Sequence, residues 1–188
     1  MRTVATEQKN RIHPYKFNLW VAIGSMMMMF AGLTSAVIVK RNQAGWAGFE
    51  IPTLFWISTI VILLSSITMV MAVKAFKERN IKKHRSFFVI TLLLGITFVA
   101  LQIVGFIQLT AQGFSLNSNV AYSFLYVIVG VHALHVLGGI IALIVMNIKG
   151  YSNKVKQYSA APIEVMGIYW HFVDVLWLYL LLFMYLIK

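Results

Sequence analysis

Residues 120–148 read VAYSFLYVIVGVHALHVLGGIIALIVMNI, 29 positions without a single Lys, Arg, Asp or Glu. About 20 mainly apolar residues are enough for a helix to cross a bilayer. Working outward, residues 17–39, 51–73, 87–111 and 163–187 are also apolar, with 23, 23, 25 and 25 positions and no Lys or Arg. The five segments take up 125 of 188 residues, so no room remains for a second folded domain. The stretch at 120–148 exceeds what a bilayer needs, which implies tilt or ends lying in the interface.

The composition agrees. The chain is 60% hydrophobic and 11% charged, with a mean hydropathy of +0.81; soluble domains run at about 45–50% and 25%. This excludes a water-soluble globular domain, a disordered chain and a collagen-like repeat. Alternating segments of about 10 residues, the mark of a membrane barrel, are absent. There is no cysteine, so disulfides, thiolate metal sites, iron–sulfur clusters and cysteine nucleophiles are excluded. The expected fold is all-α: one membrane domain, 1–188, of five transmembrane helices. Pro52 and Pro162 fall where helices should start, because a missing N–H is harmless there. The run Met26–Met29 is read as flexible packing. The first span is too long for a secretory signal and is read as retained.

The net charge is +11, and its distribution matters more than its size. With five spans, the amino terminus, second loop and fourth loop share one side. Together they carry 13 Lys and Arg, against 3 on the other side. The positive-inside rule then places the amino terminus in the cytoplasm and the carboxyl terminus outside. The basic run at 74–85 sits in a short polar connection between two spans, which suits anionic lipid headgroups and not nucleic acid. Trp20, Trp46, Tyr151 and Tyr185 lie near span ends, as an aromatic belt requires.

Ionisable residues inside spans are expensive and therefore informative. They are His132 and His135 in the fourth span and Glu164, His171 and Asp174 in the fifth. His132 and His135 share a helix face, as do Glu164, His171 and Asp174. Counted from the cytoplasmic ends, His135 and Asp174 reach similar depths, so an Asp–His pair is expected. Three uses are compatible with the cluster: haem ligation, a proton relay in an independent proton-coupled transporter, and interhelical hydrogen bonding. His132 and His135, three apart on one helix, cannot grip one iron from both sides. A transporter should show broken helices in matching halves, and none is visible. Interhelical hydrogen bonds need nothing further. The Gly138-Gly139 pair and the small residues Ala31, Gly32, Ser35 and Ala36 offer faces for close helix approach.

Residues 164–177 read EVMGIYWHFVDVLW, and the block 169–175 followed by Trp177 closely resembles the signature of subunit III of haem-copper terminal oxidases, which oxidise cytochrome c or quinol. Residues 131–139, VHALHVLGG, are similar to the Gly/His-rich stretch of that family's preceding helix. Residues 30–36, FAGLTSA, are similar to its first-helix motif. Five spans match the short bacterial form. The resemblance implies an accessory subunit with no catalytic or redox centre of its own. Haem and copper would belong to subunits I and II. The chain would sit mainly against subunit I, hold phospholipids in clefts between helices, and sustain turnover and proton uptake in the inner membrane. His132, His135, Glu164, His171, Asp174, Trp170 and Trp177 become its structural or lipid-cleft residues. One departure stands out: family members commonly carry a membrane-embedded Glu after a Ser in the first helix, and here Met26 follows Ser25.

Overall fold

The computed structural model describes residues 14–42, 46, 51–114, 120–151 and 160–187. Five helices account for nearly all of them: α1 (Pro14–Arg41), α2 (Thr53–Lys77), α3 (Ile81–Ala111), α4 (Val120–Tyr151) and α5 (Ala160–Ile187). All five are long and apolar enough to cross a membrane, and no strand occurs among the described residues. In hydrocarbon every backbone group must find its partner within the segment, which a helix alone among open structures provides.

The helices overrun their apolar cores. Residues 74–86 read from the sequence as a polar connection, yet α2 continues through Lys77 and α3 starts at Ile81, leaving only 78–80 as a turn. Apolar length records the thickness of the hydrocarbon layer. The hydrogen-bond ladder can continue into the headgroup layer, where Lys and Arg stems reach toward water. The turn itself is closed by named bonds. The amide of Asn80 donates to the Ala75 carbonyl (2.9 Å) and that of Arg79 to the Phe76 carbonyl (3.0 Å). This is a Schellman end, and it places Arg79 at φ 57°. Asn80 then caps α3 by accepting from the Lys83 amide. The far end of α3 repeats the motif with Gly113 at φ 89°, its amide donating to Thr110 and that of Phe114 to Leu109. Pro52 is the N-cap of α2, and Pro162 lies in the first turn of α5, as their missing N–H groups require.

α5 is the central element. It packs on α1, α2 and α4, while α2 pairs most closely with α3, and α4 closes against α3 and α1. Trp170 and Trp177 of α5 are both buried and fill the middle of the bundle. Glycines make room for Trp170: a Cβ at Gly95 of α3 would stand 2.8 Å from its ring, and one at Gly139 of α4 would stand 3.0 Å from Tyr169 and 3.1 Å from Trp170. The expected close approach at Gly139 is thus found. The small residues of α1 behave differently, since Ala31, Gly32 and Ser35 face outward. Within Met26–Met29 only Met26 is buried, against Leu19 and Ile23. Four consecutive helix positions face all directions, so the other three turn toward the surroundings.

Lys16 at the start of α1, Lys77 at the end of α2 and Glu164 at the start of α5 meet at one end of the bundle. Arg2, Lys9, Arg11, Lys154, Lys156 and Lys188 of the charge count lie outside the described residues, as do the side chains of Lys149 and Tyr151.

Candidate functional site

The polar residues singled out from the sequence all reach the inside or the rim of the bundle, and the structure parts them into three groups. Glu164 forms ion pairs at 3.2 Å with Lys16 and with Lys77, tying three helix ends together. Lys77 is largely and Lys16 partly exposed, so each pair contributes about 1 kcal/mol at most.

His132 and His135 form the second group. His132 is wholly buried, stacked on Trp177 at 5.2 Å between ring centroids and met edge-on by Phe98 and Phe30. Neither of its ring nitrogens has a hydrogen-bond partner among the described residues. His135 turns its Nδ1 to the Val131 carbonyl of its own helix (2.8 Å) and packs on Phe30. Its backbone carbonyl accepts from the Tyr169 hydroxyl (2.9 Å).

The third group lies between α5 and α2. His171 Nδ1 and the Ser66 hydroxyl are 2.7 Å apart. The Trp170 indole donates to Ser65 Oγ and the Trp177 indole to Thr59 Oγ1, each at 2.9 Å. Asp174 is buried, only 3% exposed. Neither oxygen of its carboxyl has a partner among the described residues.

The expected Asp174–His135 pair is therefore not formed. Axial depth was the basis of that expectation, and depth leaves rotation about the helix open. Asp174 lies about 40° around the helix from Trp170 at 100° per residue, and Trp170 and Trp177 point their indoles at α2. Asp174 goes with them, while His135 stays on the α1–α5 side of α4. The three span histidines likewise face three different sets of neighbours. Among the described residues no group of three His, Asp or Glu is gathered closely enough to hold a metal ion.

The α2–α3 seam went unrecognised in the sequence. Gln102 Nε2 donates to Ser58 Oγ (2.7 Å), and the Thr68 and Thr91 hydroxyls bond at 2.8 Å. Ser65 Oγ reaches the Thr91 carbonyl at 3.5 Å. The available signal was the spacing by seven of Ser58, Ser65 and Ala72, all with 0% exposure. Small residues at that interval let α3 approach closely.

One cleft opens beside these residues. It measures about 450 Å³, lies between α2 and α5 at the end that holds the Glu164 ion pairs, and is walled by Val70, Val73, Gly167 and Ile168, with Lys74, Lys77, Glu164 and His171 as its polar members.

Known proteins share this sequence pattern over nearly its whole length. The chain is 32% identical over 197 residues to the probable cytochrome c oxidase subunit 3 of Mycobacterium tuberculosis (strain ATCC 25618 / H37Rv), covering 99% of this chain and 97% of that one. It is 31% identical over 191 residues to the cytochrome c oxidase subunit 3 of Bacillus subtilis (strain 168), covering 97% and 89%. It is 28% identical over 178 residues to the probable quinol oxidase subunit 3 of Staphylococcus aureus (strain USA300), covering 92% and 88%. The family model described as cytochrome c oxidase subunit III matches residues 25–188, and the chain belongs to that family.

Proposed function

We propose that this chain is the non-catalytic subunit III of a bacterial haem-copper respiratory oxidase that reduces oxygen to water and pumps protons. The observation that carries the reading is the family match over residues 25–188. It is supported by side chains whose polar atoms are spent on holding helices together: Trp170, Trp177, His171 and Tyr169 all bond to neighbouring helices. Haem and copper would be held by partner subunits. Subunit I would be the main contact, with subunit II and other subunits completing the complex. The relatives support an oxidase subunit and lend nothing to an independent transporter.

The whole chain, 1–188, acts as one five-helix domain in the cytoplasmic membrane, with its amino terminus inside and its carboxyl terminus outside. The basic residues clustered at the α2–α3 turn, among them Lys82 and Lys83, contact anionic phospholipid headgroups.

The test is purification of the tagged chain from native membranes in mild detergent, followed by mass spectrometry of the intact assembly. Co-purification with a large membrane subunit and haem absorbance is expected. A haem-free single chain would refute the assignment. Neutralising Lys82 and Lys83 together should lower bound phospholipid; unchanged lipid content would refute the headgroup contact.

A further inference from the structure

The central helix keeps one bare strip. α1 and α2 both pack on α5, yet among the described residues no Cα of α1 comes within 8 Å of a Cα of α2. At 100° per residue, Glu164, Ile168, Val175, Tyr179, Leu182 and Leu186 fall within a sector of about 60° on α5. Val165 and Phe172, which pack on Leu19, Ile23 and Met26 of α1, flank that sector on one side. His171 and Tyr185, which meet Ser66 and Trp56 of α2, flank it on the other. Beyond Glu164 the strip is 38–68% exposed. α5 is therefore the floor of a groove walled by α1 and α2, and the cleft of about 450 Å³ is one end of it. From Glu164 to Leu186 the groove runs about 33 Å, close to the roughly 30 Å of a hydrocarbon layer. The ion pairs of Glu164 with Lys16 and Lys77 mark one end, and Trp56 against Tyr185 marks the other.

Two polar points lie along this groove, about 10 Å and 22 Å from Glu164. The first is His171, which lines the cleft. Its Nδ1 is engaged by Ser66 at 2.7 Å, so Nε2 is the nitrogen left for whatever fills the cleft. The second is the Tyr179 hydroxyl. Thr34 donates its own proton to the Phe30 carbonyl (2.9 Å), so Tyr179 donates to Thr34 Oγ1 at 3.1 Å and keeps its lone pairs for a donor. A lipid chain offers neither a donor nor an acceptor, and polar side chains in a span turn toward protein or water-filled space. A helix offers both: residues seven or eight apart share a face and lie about 10–12 Å from each other. We propose that this groove seats one transmembrane helix of a neighbouring subunit, laid along α5 between α1 and α2. That helix carries a hydrogen-bonding side chain opposite His171 and a donor opposite Tyr179. The inference rests on the chain being an oxidase subunit and names the face by which it docks.

The test is photo-crosslinking in native membranes, with p-benzoylphenylalanine in place of Val175 in one variant and of Leu182 in another. The haem-containing complex is then purified through the tagged chain, and the adducts are located by peptide mass spectrometry. Both positions should label one membrane-spanning segment of a co-purifying subunit, at residues about seven apart. Adducts to lipid alone from both positions, or to two different segments, in a complex that keeps its haem would overturn this inference and leave the oxidase assignment standing. A chain recovered without haem would overturn both. A second measurement fills the groove instead. Val175→Trp and Leu182→Trp should each lower the amount of chain retained per haem by about fivefold or more, because the added ring takes the space of the seated helix. Both side chains face outward, so thermal unfolding of the isolated variant chains should match the parent. Retention equal to the parent in both variants would overturn the proposal, since lipid yields to an added ring and a seated helix does not.

Discussion

Replacing Gly95 by alanine should destabilise the bundle, although alanine is the better helix former. A Cβ at Gly95 would lie 2.8 Å from Trp170 Cη2 and 3.0 Å from Cζ2, about 0.7 Å inside the closest comfortable carbon–carbon separation. Trp170 cannot readily withdraw. Its indole N–H is bonded to Ser65 Oγ at 2.9 Å, and another edge of the same ring fits the space left at Gly139, where a Cβ would meet it at 3.1 Å. Overpacking of this kind costs about 1–3 kcal/mol, whereas the change from glycine to alanine contributes about 1 kcal/mol to the helix. Gly32, with nothing within 4 Å of its added Cβ, isolates the second effect. The stability gap between Gly32→Ala and Gly95→Ala should therefore be about 1–3 kcal/mol. Denaturation of the full chain in mixed micelles, followed by tryptophan fluorescence, measures it. Adding Trp170→Phe to Gly95→Ala should cost less than the sum of the two single changes, because phenylalanine lacks the ring edge that the methyl strikes. Equal stabilities for the two alanine variants, or strict additivity in the double variant, would refute the packing argument.

Arg79→Gly should stabilise the α2–α3 turn by about 1 kcal/mol, because φ 57° suits a residue without a Cβ; the same denaturation curve checks it, with Gly113 at the other end of α3 as the natural precedent. Glu164→Gln should remove both ion pairs and lower stability by about 2 kcal/mol at most. Raising salt should shrink the difference between parent and variant, which thermal unfolding at two ionic strengths would show. Thr59→Val leaves the Trp177 indole without its acceptor and should cost about 0.6–2 kcal/mol. Adding Trp177→Phe to Thr59→Val should cost less than the sum of the two single changes, and a strictly additive double variant would contradict the bond. In the complex, Asp174→Asn and His171→Ala should weaken retention of the chain more than they reduce oxygen consumption per assembled complex; normal assembly with complete loss of oxygen reduction would be the contrary result.

The number of spans and the position of their apolar cores were legible from one dimension of information. Hydrocarbon excludes unpaired backbone groups and unpaired charge, so apolar length and the position of Lys and Arg are written directly into the residue order. Gly139 as a contact point and Pro52 as a helix start were legible for equally local reasons. The ionisable residues within the spans could be named too, because such groups are rare there. Their partners could not. Lipid tails are as apolar as leucine, so hydropathy gives little guidance about which face of a membrane helix turns inward. That was decided by the packing of Trp170 into the space left by Gly95 and Gly139 and by the bonds of Trp170 and Trp177 to Ser65 and Thr59. The same rotation carried Asp174 toward α2 and away from His135. The residue order determined the number of spans and the place of each residue along its span; only the tertiary structure decided direction, because direction depends on how unlike surfaces fit once the helices are side by side.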